Sequence, residues 1–234
     1  MSYGINKTVY LPYAGNDPEV IIRLFRGYIR LQFPQFCIDK SNIKVIEFLI
    51  NIATGTEERK GLIIRGECGV GKTALLRVWL SFRLTVLASP FLKQPIKFDE
   101  LNERLPKISF FDPISLLSNF TKEGYDFFSR NFGEIFVLDD LGMTTSINYF
   151  GTPVNILEQL ILSRYSKFKQ NPNFELYGTT NLTTDQLNEL IGQRAMSRLT
   201  EMSTWKEGLL IGSDRRKNND RLKEWPKLPY CDLI

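Results

Sequence analysis

Within the stretch Gly66-Glu67-Cys68-Gly69-Val70-Gly71-Lys72-Thr73, three glycines, a lysine and a hydroxyl follow one another closely. The run satisfies G-x-x-x-x-G-K-[ST] in full, the spacing with which main-chain amides wrap phosphate oxygens. Glycines stand where a Cβ would keep the backbone away from the ligand. Lys72 offers a cation to the β- and γ-phosphates, and Thr73 offers its hydroxyl to Mg²⁺. A helix starting at Lys72 would aim its positive end at the same anion. The ligand implied is a nucleoside triphosphate, ATP with Mg²⁺. Its binding residues would be Gly66, Glu67, Cys68, Gly69, Val70, Gly71, Lys72 and Thr73, Cys68 being a small residue at a variable position.

A second half-site is needed to hold the metal. In Ile135-Phe136-Val137-Leu138-Asp139-Asp140, four apolar residues end in two acids. A buried strand presents its last residues at the carboxyl edge of a sheet, beside such a phosphate loop. Asp139 is therefore expected to share Mg²⁺ with Thr73, and Asp140 to polarise an attacking water.

Both half-sites require strands that stop at a common edge. The apolar runs Gly61–Gly66, Lys107–Asp112, Glu134–Asp139 and Phe174–Thr179 predict four, and Gly208–Gly212 predicts a fifth. Helical stretches are expected at 73–88, 114–131 and 153–170, preceded by helices from Pro18 to before Pro34 and over 41–54. Short apolar strands alternating with helices imply a buried parallel sheet. The predicted fold is α/β, a doubly wound five-stranded parallel sheet of the P-loop NTPase type with helices on both faces. The expected organisation is an N-terminal extension over 1–40 for partner or DNA contact, an ATPase domain over 41–222 and a tail over 223–234.

Composition narrows the chemistry. The 234 residues contain no histidine, which removes Ser-His-Asp, Cys-His and His-metal sites. Cys37, Cys68 and Cys231 are far apart and lack metal-ligand spacing, against a disulfide framework or zinc site. No run approaches the roughly 20 apolar residues of a membrane span, and the first residues lack a signal-peptide core. The expectation is a soluble, cytoplasmic protein without membrane contact. A net charge of +4 permits a nucleic-acid partner without demanding one.

Taken in order, several segments resemble the DnaC/IstB branch of AAA+ ATPases, the bacterial helicase loaders and related transposition ATPases. They are Gly66–Thr73, Val137-Leu138-Asp139-Asp140-Leu141-Gly142, Gly178-Thr179-Thr180-Asn181-Leu182, Gly192-Gln193-Arg194-Ala195-Met196-Ser197-Arg198-Leu199 and Gly212-Ser213-Asp214-Arg215-Arg216. The resemblance covers about residues 41–222. It implies that Asn181 is a sensor of the γ-phosphate or the water. It implies that Arg198 reaches a neighbouring subunit's ATP, with Arg194 supporting a homo-oligomeric interface. Arg216 is implied as the second sensor, with Arg215 as the adjacent alternative; the family has an aromatic residue where Arg215 stands. The resemblance also implies a reduced or absent C-terminal lid. Many relatives carry glutamate where Asp140 stands, so hydrolysis is expected to be slow and completed by a neighbour.

The function implied is an ATPase in DNA replication, a helicase-loader-like protein assembling on DNA, single-stranded by expectation, or on a replicative helicase. The alternative is an IstB-like ATPase that assembles on duplex DNA and recruits a transposase. A metabolic P-loop kinase is disfavoured by the lack of an arginine-rich lid. Candidate DNA contacts are Arg23, Arg26 and Arg30 on the first helix and the basic stretch Arg215–Lys227. The aromatic segment Ser115–Asn131, with Phe120, Lys122, Tyr125, Phe127 and Phe128, corresponds to an insertion that holds single strands in initiator-type relatives, although such aromatics are more often core.

Overall fold

Local signals set where the elements begin and end. Asp17 accepts a hydrogen bond from the Glu19 amide and Pro18 occupies the first turn, so α1 runs Pro18–Gln32. Helix α2, Ile43–Thr54, stops at Gly55 in the left-handed region. A computed structural model of the chain describes residues 17–57, 61–84, 107–130, 132–143, 146–171, 174–215 and 231–232. Strand β1 (Leu62–Arg65) leads through the phosphate loop into α3 (Lys72–Phe82). Then come β2 (Ile108–Phe111), α4 (Pro113–Glu123), α5 (Asp126–Ser129) and β3 (Ile135–Leu141). A hairpin follows, β4 (Ser146–Tyr149) and β5 (Thr152–Asn155), then α6 (Ile156–Gln170), β6 (Glu175–Thr180), α7 (Thr184–Met202) and β7 (Cys231–Asp232).

The main sheet is parallel, in the order β1-β6-β3-β2-β7. Because side chains alternate across a strand, each run feeds two cores. Leu62, Ile64, Ile108, Phe110, Ile135, Val137 and Tyr177 face α1, α2 and α3. Ile63, Phe111, Phe136, Leu138 and Leu176 face α4, α6 and α7. With helices covering both faces, this is the α/β doubly wound arrangement expected. Helix α1 belongs to the first core: Phe25 packs edge-on against Trp79 and Phe82, and Tyr28 shares a 2.7 Å hydrogen bond with Ser81.

Three differences from the sequence reading have physical causes. Gly208–Gly212 is not a strand; it makes one bridge beside β1, where the Arg65 amide donates to Gly208 and Leu210 donates to Arg65, each at 2.8 Å. Leu209 and Ile211 are exposed along this edge, so no apolar face drives further pairing, and the fifth strand is β7 on the opposite edge. The stretch 114–131 is two helices, because Gly124 ends α4. The helix expected from Pro153 starts at Ile156, since 152–155 pair with 146–149 and Asn155 caps α6. Helix α3 occupies the first part of the expected 73–88 helix, the chain stays helical through residue 84, and the remainder lies outside the described residues. Residues 1–16 of the expected 1–40 extension and most of the tail lie outside them as well. Among the described residues, no helix is long and apolar enough to cross a membrane.

Candidate functional site

All the strands of the sheet run the same way, so their carboxyl ends share one edge, and β6 lies between β1 and β3. That order brings the loop after β1, the acids ending β3 and the residue after β6 side by side. They line a cleft of about 740 Å³, within the range of small-molecule sites.

The phosphate loop has the backbone its glycines permit. Gly66, Gly69 and Gly71 have φ values of 154°, 84° and 100°, and a Cβ on Gly66 would lie 2.3 Å from the Leu210 carbonyl oxygen. Gly71 opens α3 as its N-cap, with no side-chain cap bond, and sets the positive end of the helix at the loop. Lys72 is buried and folds back over the loop. Its Nζ donates to the carbonyls of Gly66 at 2.9 Å and Glu67 at 2.8 Å, and to Asn181 Oδ1 at 2.5 Å. The lysine and the sensor candidate are thus in contact.

The Asp139–Asp140 pair owes its placement to a bulge. Leu138 pairs with Gly178 and Leu141 with Thr180, so β3 spends one extra residue against β6. Asp140 sits there at φ 54°, a sparsely populated conformation for a side-chain-bearing residue. The displaced Asp140 amide donates to Thr179 Oγ1 at 2.8 Å, and the Thr179 hydroxyl donates to Asp139 Oδ1 at 2.6 Å. Thr73 Oγ1 also donates to Asp139 Oδ1, at 2.9 Å, so the two expected metal ligands already touch. Asp140 is exposed to the cleft, with Asn181 Nδ2 at 3.5 Å from its Oδ1.

Burial raises the Asp139 carboxyl above the ordinary carboxylate range. The Thr179 and Thr73 hydroxyls and the Arg77 charge oppose this, while the neighbouring Asp140 adds to it. A buried carboxylate beside a threonine hydroxyl is short of positive charge, and a divalent cation would supply it. The residues present therefore fit Mg²⁺ bound to a triphosphate.

The structure also brings in groups the sequence did not announce. Gln35, Phe36 and Asn42 line the cleft from the segment between α1 and α2. Asn42 is 2% exposed and ties its own loop by accepting from the Asp39 amide and donating to the Cys37 carbonyl. No spacing motif marks this segment, and the burial of Asn42 is a fact of the fold. Thr179 was legible only as part of a run, and its place between both acids is a three-dimensional fact.

Arg215 lines the cleft, its amide donating to the Gly69 carbonyl at 3.0 Å. Its guanidinium donates at 2.8 Å to Asp39 Oδ2 and at 2.8 Å to Ser41 Oγ. Asp39 gains from this. Burial would raise its pKa, but Ser41 and Arg215 outweigh that and hold it low. Arg216 lies outside the described residues.

Arg194 and Arg198 are not among the residues lining the cleft. Gly192, at φ 81° and ψ 154°, breaks α7, so the two arginines ride on its final segment. Arg194 is exposed, whereas Arg198 donates to Glu201 Oε1 at 2.6 Å and lies 4.4 Å over the Tyr165 ring. The aromatic segment is largely core: Phe120 and Phe127 are fully buried, and Tyr125 is the exposed member. Arg23, Arg26 and Arg30 are exposed on α1, with Arg23 paired to Glu19.

Two solved structures share this doubly wound fold. Domain III of the Thermotoga maritima replication initiation protein DnaA matches with a TM-score of 0.54 at 17% identity, over 79% of this chain and 68% of that one. A DnaC helicase loader matches with a TM-score of 0.50 at 18% identity, over 80% of this chain and 99% of that one. At these identities the likeness is one of fold. No protein-family model matches the chain, and neither does any curated protein.

Proposed function

We propose that this chain binds and hydrolyses ATP with Mg²⁺ and couples the nucleotide state to assembly on DNA, as a cytoplasmic helicase-loader-like ATPase of DNA replication. One observation carries the reading: at the mouth of a glycine-lined loop, Lys72 and Thr73 meet by hydrogen bonds two residues distant in sequence, Asn181 and Asp139 respectively. The likeness to a replication initiator and a helicase loader supports the process.

The roles follow from position. Main-chain amides of 66–73 cradle the phosphates, and Lys72 exchanges its contact with Asn181 for phosphate oxygens. Thr73 and Asp139 would hold Mg²⁺, which supplies charge neutralisation at those oxygens when bound. Asp140 and Asn181 orient the attacking water. Phe36 and Leu210 offer apolar surface to the base. Arg215, which lines the cleft, takes the second-sensor role that the resemblance gives to Arg216. Arg198, with Arg194 beside it, serves the triphosphate of an adjacent copy, so the oligomer is the complete enzyme.

Calorimetry with magnesium-ATP tests the binding step: micromolar-range binding is expected for the native chain, and absence of heat from folded protein would refute it. ATPase assays with each form of DNA then separate the partners. Stimulation by single strands and co-purification of a replicative helicase support loading. ATP-dependent filaments on duplex DNA with transposase recruitment would replace it with the IstB-like reading.

A further inference from the structure

We propose that Glu201, supported by Tyr165 and Lys169, is a seat that holds the Arg198 guanidinium until the triphosphate of a second copy takes it. Glu201 thereby sets the protein concentration at which copies complete one another's sites. This rests on the assignment of Arg198 to a neighbour's nucleotide.

The seat joins two helices. Arg198 and Glu201 stand one turn apart on the last segment of α7, while Tyr165 and Lys169 stand one turn apart on α6. The two carboxylate oxygens of Glu201 are divided between partners. Oε1 accepts from Arg198 at 2.6 Å. Oε2 accepts from the Tyr165 hydroxyl at 2.6 Å and lies 3.7 Å from Lys169 Nζ. Arg198 also donates to the Tyr165 oxygen at 3.2 Å and rests on its ring, where the π-face favours a cation.

This division makes the arginine removable. When Arg198 leaves, Glu201 Oε1 and the Tyr165 oxygen each lose one donor, while Oε2 keeps a hydroxyl and an ammonium, so no carboxylate is stranded. The pair is also open to water, both side chains being 38% exposed, and such pairs hold weakly. A triphosphate offers several negative charges and paired oxygens that match the planar fork of a guanidinium, and competes favourably for it.

Two other arginines show what a structural assignment looks like. Arg164, next to Tyr165, is 1% exposed and donates to the carbonyls of Phe128 and Arg130. Arg83 grips both oxygens of buried Glu175 and the Tyr177 hydroxyl. Neither could swap partners without leaving buried polar groups bare. Arg198 could.

The test is specific ATPase activity against protein concentration for the native chain, Glu201→Gln and Glu201→Asp. Glutamine removes the charge, and aspartate keeps it while withdrawing it from Arg198, so the pair separates the seat from a general surface-charge effect. Both are expected to reach half-maximal activity at about two- to fivefold lower protein concentration, the range of one exposed ion pair. Maximal turnover should stay within about twofold. An unchanged or higher half-saturating concentration in either variant overturns the seat. Arg198→Ala measured alongside tells the two ideas apart. If it turns over normally, both fall; if it is inactive while the Glu201 variants behave like the native chain, only the seat falls.

Discussion

The cleft and the final segment of α7 are both built around cations, yet they keep them differently. Lys72 is buried against two carbonyls and an amide oxygen of its own loop and neighbour strand. Arg198 is half-exposed against a carboxylate and an aromatic ring. On the proposed reading, the first is fixed where a phosphate arrives and the second is held where it can be given away. One chain would then carry a site for a triphosphate and, elsewhere, a cation such a site needs.

The largest way to break that contrast is Arg198→Ala. Turnover should fall about a thousandfold, the scale of a lost trans-acting arginine, with nucleotide affinity within about twofold of native. Single-turnover hydrolysis and calorimetry read the two quantities; a parallel loss of affinity would place Arg198 in its own subunit's cleft. Lys72→Ala removes charge-assisted bonds of about 1.5–3 kcal/mol each, so affinity should drop about a hundredfold or more. Calorimetry showing less than tenfold loss would leave the loop without its main cation.

Smaller effects sharpen the description of the cleft. Thr179→Val strips the donor from Asp139 and the acceptor from the Asp140 amide, and should destabilise the unliganded protein by about 1–3 kcal/mol in denaturant unfolding. Asp39→Asn tests the Arg215 contact. The Asp39 carboxyl titrates below its unfolded value, so its contribution is present above about pH 4 and is lost as pH falls through the lower folded value. With Asp39 43% exposed, that contribution is at most about 1 kcal/mol. The variant should melt slightly earlier at pH 7, and its stability should decline less between pH 5 and 3 than that of the native chain. An identical decline would detach Asp39 from the acid sensitivity.

Much of this was legible because it is local. The glycine-lysine-threonine spacing dictates its own backbone, and the apolar runs at β1, β2, β3 and β6 left little choice but a buried parallel sheet. What escaped was set by partners distant in sequence. Phe150-Gly151, with φ values of 49° and 81°, makes a two-residue hairpin turn of a kind that usually draws asparagine and glycine, so Ser146–Asn155 did not read as strands. Arg164 carries no local signal of burial, yet it lies 4.3 Å over the Phe132 ring, and burial draws its pKa down to about 10. The Phe36 and Asn42 wall depends on how α1 packs against α3.

Mixing two inactive variants tests the central claim most directly, namely that one copy's loop and another's arginine form a single site. Lys72→Ala subunits lack a working cleft but keep Arg198, and Arg198→Ala subunits keep the cleft. Equimolar mixtures should hydrolyse ATP well above the sum of the separate proteins, with a rate that rises with total concentration. A mixture no more active than its parts, at concentrations where the native chain turns over, would contradict the account.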